Sequence, residues 1–467
     1  MKEYNDTIAA ISTAVSPSGI GIVRMSGSKA IEIIDKIYKG KKEKRISRQK
    51  SHTIHYGYII DGDNMIDEVL VMLMREPHTY TGEDTVEINC HGGVYVVKRV
   101  LETLIKYGAR PAEPGEFTKR AFLNGRLDLS QAEAVGDLIA SQNEYALKNS
   151  IGQLKGNIKN KINDIRNEII YHTAFIESAL DDPEHICIDG YNEKLKESLF
   201  ILLKEIEKLL TGCDSGRIMK EGINTVIVGK PNAGKSSLLN KLLGEERAIV
   251  TDIAGTTRDV LEEHISLQGI SLNIMDTAGI RITDDIVEKI GVDKAKNQAE
   301  ASDLILYVID SSVSLDENDR EILKMIQGKQ AIILLNKSDL DMIVDKDKVM
   351  KQYYELNNEK NNIPVIEISV RENIGISQLE DTLKYMFYAG KLTFNDEIYI
   401  SNIRHKAALE NAYESLKKVN ESIDLGMPED FYSIDLMDAY ESLGSITGET
   451  IGEDLINEIF SKFCMGK

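Results

Sequence analysis

The sequence predicts a multidomain protein that combines α+β and α/β folds, because the spacing of apolar residues changes three times along the chain. Residues 1–118 alternate short β-rich runs with Gly, Pro and Asn signals, which predicts an α+β domain. Residues 119–215 have long helical periods, residues 216–385 alternate apolar strands with helices, and residues 386–467 are helical again. The alternating segment is typical of a doubly wound, mostly parallel sheet. We therefore expect an α/β domain inserted into a discontinuous helical domain.

The individual elements follow from the same periodicities. In the first domain, apolar runs predict three strands and then one helix, at Ile20–Met25, Glu68–Met74, Thr85–Asn89 and Val94–Tyr107. The helical segment that follows is interrupted at Asp181-Asp182-Pro183. The predicted strands of the α/β domain are Asn224–Val228, Ser271–Met275, Leu304–Ile309, Ala331–Leu335 and Pro364–Ile368.

The composition limits the classes of function. With 467 residues, 42% of them hydrophobic and 28% charged, the chain is long enough for several buried cores. No apolar stretch approaches the ~20 residues of a membrane span, and residues 1–10 do not form a basic-then-apolar leader. We therefore expect a cytoplasmic protein without a membrane partner. The four cysteines lack paired spacing, which predicts reduced thiols rather than zinc ligands or disulfides.

The charge of the chain bears on nucleic-acid binding. A net charge of −20 argues against non-specific binding by the chain as a whole, because each phosphate contact needs a Lys or Arg. Any RNA contact must therefore use a local patch. The basic run Lys39–Lys50 is such a patch or, as is more usual, a solvated loop.

A phosphate-binding loop is the strongest motif. The segment Gly229–Ser236 reads GKPNAGKS and stands between an apolar strand and the helical run Ser237–Leu243. In this context glycines let backbone N–H groups approach phosphates, and the helix N-terminus adds its dipole. Lys235 would reach the β- and γ-phosphates, and the Ser236 hydroxyl would bind Mg²⁺. The candidate nucleotide-binding residues of this loop are Asn232, Ala233, Gly234, Lys235, Ser236 and Ser237.

Further segments predict that the ligand is a guanine nucleotide. Asn336-Lys337-Ser338-Asp339 follows a strand, and the Asp339 carboxylate can accept from the two donors on the guanine edge, an arrangement that adenine cannot satisfy. Asp276-Thr277-Ala278-Gly279 follows another strand, where Asp276 can organise the metal shell and the Gly279 N–H can sense the γ-phosphate. Ser369-Val370-Arg371 stands where a further loop would touch the base.

A switch segment completes the nucleotide motifs. Gly255-Thr256-Thr257-Arg258-Asp259 is typical of a switch that the γ-phosphate holds, with Thr257 as the second hydroxyl on Mg²⁺. The candidate nucleotide-binding residues in and before it are Thr251, Asp252, Ile253, Ala254, Gly255, Thr256 and Thr257.

The residues alone leave open which group supplies the positive charge that stabilises the transition state. Arg258 or Arg281 could act as an arginine finger. Alternatively, an Asn amide and three backbone carbonyls could hold a potassium ion over the phosphates, at Asn232, Thr251, Ile253 and Thr256.

The positioning of the attacking water is a separate question. Ile280 stands where many GTPases keep a water-orienting Gln. Asp284, Asp285 and Glu288 are candidates for that role, although an acidic segment is otherwise ordinary solvated surface.

Six segments together carry a resemblance to one known family. They are Asp6-Thr-Ile-Ala-Ala, Gly82-Glu-Asp, Cys90-His-Gly-Gly, Pro114-Gly-Glu-Phe-Thr-Lys-Arg-Ala-Phe-Leu-Asn-Gly-Arg126, Gly255-Thr-Thr-Arg-Asp and Phe463-Cys464-Met465-Gly466-Lys467. Over essentially its whole length the chain resembles the MnmE (TrmE) family of bacterial tRNA-modification GTPases, in the wider TrmE-Era-EngA-like group.

The resemblance implies a fold and a reaction. Residues 1–118 would form a tetrahydrofolate-binding domain that dimerises, and residues 216–385 a GTPase domain inserted between the helical parts 119–215 and 386–467. The homodimer would work with the FAD-containing MnmG, in a heterotetramer or larger complex. Together they would use a formyl or methylene unit of tetrahydrofolate to add an aminomethyl or carboxymethylaminomethyl group to C5 of the wobble uridine of certain tRNAs.

The resemblance also assigns roles to residues. It implies potassium ligands at Asn232, Thr251, Ile253 and Thr256, and Mg²⁺ ligands at Ser236 and Thr257. Glu288 would be the catalytic residue that orients water, and two GTPase domains would meet face to face, so that no external activating protein is required. The implied folate-binding residues are Arg24, Glu87, Arg126 and Lys467, with Cys464 as a functional thiol. Arg126 stands where some relatives have Lys, which keeps the charge but alters its geometry.

Simpler interpretations compete at several of these residues. Arg24 and Glu87 could be an everyday cross-strand ion pair, and Cys464 an apolar-packed thiol. Cys90 and His91 look metal-like, but without a second pair a turn near the site is the better interpretation.

Two rival functions belong to other classes. One is a GTP-switched RNA-binding or ribosome-assembly factor, which the absence of a Gly-x-x-Gly loop or basic stripe after Tyr385 disfavours. The other is a folate enzyme with a regulatory GTPase. These alternatives overlap with the leading interpretation. The observation that distinguishes them is whether tRNA modification requires GTP hydrolysis or only GTP binding.

Overall fold

The computed structural model describes most of the chain: residues 6–40, 45–182, 184–185, 190–244, 263–267, 270–275, 302–356, 363–388, 399–463 and 466. The chain divides into two compact units. The first comprises Met1–Ala140, Ser150–Glu207 and Ala407–Lys467, and the second comprises Ser141–Asn149 and Lys208–Lys406. The predicted domain boundaries at residues 118, 215 and 385 remain predictions. Within the described ranges, no helix is both long and apolar enough to cross a membrane.

Strands and helices are numbered here in chain order. The strands are β1 (Ile8–Ile11), β2 (Gly21–Ser26), β3 (Tyr38–Gly40), β4 (Thr53–Asp61), β5 (Asn64–Met74), β6 (Thr85–Cys90), β7 (Arg110–Pro111), β8 (Ile223–Val228), β9 (Glu263–Leu267), β10 (Ile270–Ile274), β11 (Leu304–Asp310), β12 (Ala331–Asn336) and β13 (Val365–Glu367). The helices are α1 (Ala30–Ile37), α2 (Val94–Lys106), α3 (Glu116–Leu123), α4 (Leu129–Ala140), α5 (Glu144–Leu154), α6 (Asn157–Asp181), α7 (Tyr191–Thr211), α8 (Cys213–Glu221), α9 (Lys235–Gly244), α10 (Glu317–Met325), α11 (Lys346–Leu356), α12 (Ile376–Tyr388), α13 (Ile403–Asp424), α14 (Asp430–Thr447) and α15 (Glu453–Ser461).

The first unit contains a mixed seven-stranded sheet in the order β3-β4-β5-β6-β2-β1-β7. Its pairs are antiparallel except β1 with β7. Val23 and Ile88 are fully buried in a core shared with α1 and α2. Because successive strand residues point to opposite faces, their neighbours Arg24 and Glu87 lie on the other face of the sheet.

Helices α6 and α14 pack closely in the first unit. The Arg166 guanidinium lies 4.0 Å from the ring centroid of Tyr440, and its Nη1 is 2.7 Å from Glu449 Oε2. Gly444 leaves room for this side chain, because a Cβ there would lie 3.0 Å from Arg166 Nη2. A buried cation therefore sits at the crossing of the two helices, with an aromatic ring and a carboxylate as its partners.

The second unit contains a six-stranded sheet in the order β13-β12-β11-β8-β10-β9, parallel except for β9 with β10. Both faces of its central strands are buried. Val226 and Ile305 belong to one apolar core, whereas their chain neighbours Ile227 and Leu306 belong to the other. This two-sided burial is the property of a doubly wound sheet. The predicted multidomain α+β and α/β fold class is confirmed.

A buried ionic network joins segments that lie far apart in the N-terminal sequence. Arg120 is 1% exposed and donates to Asp6 Oδ1 at 2.6 Å, to Glu116 Oε1 at 3.0 Å and to Glu83 Oε1 at 3.2 Å. Arg110 also donates to Asp6 and Glu116. Burial alone would raise the pKa of Glu116, but hydrogen bonds from Arg110 and Arg120 hold it below its usual value. The network therefore connects three of the six family-like segments.

Replacement of Arg120 by Met tests whether this network stabilises the first unit. Removing one partner of a buried ion pair leaves uncompensated carboxylates, so we expect a loss of about 3 kcal/mol, since Arg110 still pairs with Glu116. The measurement is thermal unfolding followed by calorimetry. The control is Lys36→Met, which removes an exposed pair with Glu32 and should leave stability nearly unchanged. Equal unfolding temperatures of the two variants would contradict the stabilising role of the Arg120 network.

Candidate functional site

The phosphate-binding loop connects β8 to α9 and depends on two glycines. Gly229 has a φ of +152°, and a Cβ there would lie 2.3 Å from the carbonyl oxygen of Val308 on the neighbouring strand. Gly234 has a φ of +102°, and a Cβ there would lie 2.1 Å from Asn336 Nδ2. Neither space admits another residue without displacement of its surroundings. The loop can therefore pack closely against β11 and β12 because both positions lack a side chain.

Asn336 ties the phosphate loop to the loop predicted to touch the base. Its Nδ2 donates to the carbonyl of Ala233 at 2.8 Å, and its Oδ1 accepts a long hydrogen bond from the N–H of Val370 at 3.4 Å. The residue is 3% exposed, so both bonds are shielded from water. Two predicted ligand-binding segments are thus held together by one buried amide.

Lys235 is placed at the mouth of the phosphate loop. Its Nζ donates to the carbonyls of Gly229 and Lys230, each at 2.7 Å. Burial lowers the pKa of Lys235. Phosphate oxygens would offer this ammonium group charged acceptors, which form stronger hydrogen bonds than carbonyls do.

The remaining polar residues of the loop face solvent. Asn232 has a left-handed backbone conformation with a φ of +63°, and its side chain is exposed. Ser236 and Ser237, in the first turn of α9, are exposed as well. The amide and the two hydroxyls are therefore accessible to a ligand at the end of the helix where backbone N–H groups are unpaired.

Asp339 occupies an exposed position opposite a fixed hydroxyl. Its Oδ1 accepts from Ser369 Oγ at 2.6 Å, and Ser369 is itself paired with Ile374 by two backbone hydrogen bonds. The hydrogen bond from Ser369 holds the pKa of Asp339 below its usual value. The carboxylate is therefore ionised at neutral pH and presents acceptors to a base. Arg371 is exposed beside it.

Sequence reasoning predicted Lys337 in this base-side region but missed the residues that support it, Asp310, Ser311 and Ser312. Lys337 has a φ of +65°, and its Nζ is 2.5 Å from Asp310 Oδ2. Burial would raise the pKa of Asp310, but the Lys337 ammonium and the Ser312 hydroxyl hold it low. Ser311 donates through both N–H and Oγ to the carbonyl of Asn336. The available signal was the polar run Asp310-Ser311-Ser312 at the carboxyl end of an apolar strand.

Other predicted residues lie outside the described part of the chain. They are the switch and cation residues Thr251, Asp252, Ile253, Ala254, Gly255, Thr256 and Thr257, the segment Asp276, Thr277, Ala278 and Gly279, the catalytic candidates Arg258, Arg281, Asp284, Asp285 and Glu288, and the C-terminal Cys464 and Lys467. Their roles remain predictions.

The N-terminal sheet carries a second candidate site. Arg24 and Glu87 are cross-strand neighbours, and their side chains form an ion pair at 2.8 Å. The Arg24 guanidinium lies 5.3 Å from the ring centroid of Tyr80, which also receives the Arg126 guanidinium at 4.9 Å. The simple ion pair that the sequence suggested is therefore present. However, Arg24 Nη1 is buried without a hydrogen-bond partner, which a plain cross-strand pair does not explain.

The C-terminus reaches the same sheet. Ser12 Oγ donates to the carbonyl of Gly466 at 3.2 Å, and a Cβ at Gly466 would lie 2.2 Å from the carbonyl oxygen of Ile11. Gly466 thereby lies at the end of β1, next to the strand that carries Arg24. Cys90 is a free thiol whose burial raises its pKa to about 11.

Comparison with known proteins gives matches over nearly the whole chain. A family model described as the MnmE helical domain matches residues 129–464, and one described as the GTP-binding protein TrmE N-terminus matches residues 7–126. The chain is 57% identical to the tRNA modification GTPase MnmE of Lachnoclostridium phytofermentans. It is 51% identical to that of Acetivibrio thermocellus and 48% identical to that of Clostridioides difficile. Each match covers 99% of both sequences.

Replacement of Gly234 by Ala tests the close approach of the phosphate loop to Asn336. A Cβ would displace the Asn336 amide and strain the backbone. Loss of the buried hydrogen bond to Ala233, worth about 1–3 kcal/mol, should lower guanine-nucleotide affinity by about 10- to 100-fold. Titration with a fluorescent GDP analogue measures this. Gly244→Ala, at the other end of α9, is the matched control, because a Cβ there meets nothing within 4 Å. Wild-type affinity in the Gly234 variant would contradict the proposed fit.

Proposed function

Since the chain belongs to the MnmE family of tRNA modification GTPases, we propose that it couples potassium-dependent GTP hydrolysis to tetrahydrofolate-dependent modification of tRNA in the cytoplasm. Its action as a GTP hydrolase in tRNA modification follows from the family. The proposed product, made with the flavoprotein MnmG, carries an aminomethyl or carboxymethylaminomethyl group at C5 of the wobble uridine. The arrangement of Asn336 between the phosphate loop and the base-side loop is the observation that most directly supports the nucleotide chemistry.

The phosphate loop binds the nucleotide through backbone N–H groups and Lys235. Asp339 accepts hydrogen bonds from the guanine edge, a role that its exposed and ionised carboxylate fits. Ser236 and Thr257 are the proposed ligands of Mg²⁺. The accessible Ser236 hydroxyl in the first turn of α9 fits this role.

Asn232 is the side-chain ligand in the proposed potassium site. Its exposed amide on a left-handed loop residue is free to offer its oxygen at the mouth of the phosphate loop. The carbonyls at Thr251, Ile253 and Thr256 would complete the site. A bound cation supplies positive charge that offsets the negative charge developing on the phosphate oxygens.

Glu288 is proposed to orient the attacking water. In many GTPases a Gln has this role, at the position that Ile280 occupies in this chain. Arg258 and Arg281 are the alternative sources of positive charge. A second GTPase domain, from the partner subunit, would close the site and exclude water.

The residues around Arg24 fit a folate. The orphaned Nη1 of Arg24 calls for an acceptor, and the Tyr80 ring offers an apolar surface beside two guanidinium groups. A folate combines an aromatic ring system with carboxylates, which matches this combination of donors and aromatic surface. Glu87 would hold Arg24 in place, and Lys467 would add a charge from the C-terminus. The bound folate supplies the one-carbon unit.

The open face of the N-terminal sheet supports a homodimer. Ile54, Tyr56 and Leu70 lie on the same face as Arg24 and are 62%, 43% and 43% exposed. A contiguous exposed apolar surface is typical of an interaction site. A second copy of the chain is the proposed occupant, with MnmG and tRNA as further partners.

Asp339→Asn tests the guanine assignment. Asparagine offers one acceptor and one donor in place of two acceptors, so it matches a base that has a carbonyl where guanine has its amino group. We expect GDP affinity to fall by about 100-fold or more and xanthosine diphosphate affinity to rise, as measured by calorimetry. Glu372→Gln is the control, since it neutralises an exposed carboxylate close by in the same loop. Unchanged selectivity would remove Asp339 from the site.

Glu288→Ala tests whether hydrolysis drives the modification. Loss of the water-orienting group should lower GTP turnover by about 10²–10⁴-fold while GDP affinity stays near wild type. Wobble-uridine modification, measured by mass spectrometry with MnmG, tRNA and a tetrahydrofolate donor, should fall in parallel. Full modification without turnover would instead favour a folate enzyme with a regulatory GTPase. No modification by the wild-type protein, together with GTP-dependent binding to ribosomal subunits, would favour the assembly-factor alternative.

A further inference from the structure

The second residue of the phosphate loop is anchored outside the loop. Lys230 Nζ lies 2.7 Å from Asp319 Oδ2 and 3.0 Å from Asp316 Oδ2. Asp316 is the N-cap of α10, and Asp319 is the third residue of that helix. The side chain of Lys230 therefore connects the phosphate loop to the helix that follows β11.

The anchor point is rigid. Asp319 is 1% exposed, and its Oδ1 accepts from the hydroxyl of Tyr307, which is fully buried in the sheet. Its Oδ2 also accepts from the N–H of Asp316, while Asp316 Oδ1 accepts from the N–H groups of Asn318 and Asp319. This reciprocal capping box holds both carboxylates in place independently of Lys230.

The two halves of the phosphate loop have different supports. Asn336 holds the second half at Ala233. In the first half, which contains Asn232, the contact from Lys230 to α10 links the loop to a fixed element of the fold. The carbonyl of Lys230 also accepts from Lys235 Nζ at 2.7 Å. A shift of Lys230 would thus move both the backbone before Asn232 and one acceptor of Lys235.

We propose that Lys230 is a positioning residue of GTP hydrolysis, which acts through the Asp316–Asp319 capping box to hold Asn232 in its left-handed conformation. This inference rests on the proposed function, in which Asn232 contributes to transition-state stabilisation. Its effect falls on the chemical step more than on nucleotide binding, because the second half of the loop keeps its Asn336 support. Small misplacements of a positioning group can reduce rates by about 10²-fold.

Lys230→Met separates this role from a merely structural one. Both aspartates keep their backbone N–H donors, and Asp319 keeps Tyr307, so the fold should persist. We expect kcat for GTP at saturating potassium chloride to fall by about 10-fold or more, with GDP affinity within about 3-fold of wild type. The thermal midpoint should fall slightly, because the buried Asp319 loses its cation but keeps its hydrogen bonds. The half-activating potassium concentration should rise. Lys230→Arg, which retains a cation for the carboxylates, should restore most of kcat.

The matched control is Arg320→Met on the same helix. It removes an exposed cation that pairs with Glu317 at 3.3 Å and has no contact with the phosphate loop in the described residues, so its kcat should equal that of wild type. Wild-type kcat in Lys230→Met would overturn the inference while leaving the proposed function intact. So would a parallel loss of kcat and GDP affinity that Lys230→Arg does not restore, which is the signature of a structural residue. A wild-type protein without GTP turnover would overturn both.

Discussion

The hydrogen bond from Asn336 to the carbonyl of Ala233 is the constraint on which the nucleotide site depends. In the sheet, β11 lies between β12 and β8, so the amide at the end of β12 must reach across the end of β11. This is feasible because Gly229 and Gly234 present no side chain toward Val308 and Asn336. Strand order, glycine placement and one buried amide together fix the loop before a nucleotide binds, so little ordering entropy remains to oppose binding.

The N-terminal domain carries two arginines, Arg120 and Arg24, with different surroundings. Arg120 is buried and bonds to three carboxylates, those of Asp6, Glu83 and Glu116, so it acts as part of a structural unit. Arg24 bonds to Glu87 and keeps one nitrogen without a hydrogen-bond partner, and its guanidinium lies near the Tyr80 ring, which Arg126 also approaches. Three carboxylates bond to Arg120 and one bonds to Arg24, and on this difference we assign a structural role to Arg120 and a proposed ligand-binding role to Arg24.

Strand and helix periodicity predicted much of the fold. The predicted strand Leu304–Ile309 ends one residue before β11 does, and Ala331–Leu335 likewise ends one residue before β12. These runs are apolar on both faces, which makes them easy to recognise. Strand β4 and the short β1 were missed, because β4 mixes Gly, His and Tyr with its apolar residues and β1 has only four residues. The motif residues of the phosphate loop were predictable from local spacing. The residues Asp310 and Asp319, which support the nucleotide-binding loops, were not, since each pairs across a sequence separation that no local pattern encodes. The same holds for the pairing of Arg120 with Asp6 in the N-terminal domain.

The most direct test of this account is GTP turnover by the wild-type protein and by Asn232→Ala, in potassium chloride against sodium chloride at equal ionic strength. The account predicts a large potassium advantage in the wild type that the Asn232 variant loses, because the exposed Asn232 amide is the proposed side-chain ligand of the cation. Equal rates of the wild type in the two salts would contradict it. The positive charge would then have to come from Arg258, Arg281 or a separate activating partner.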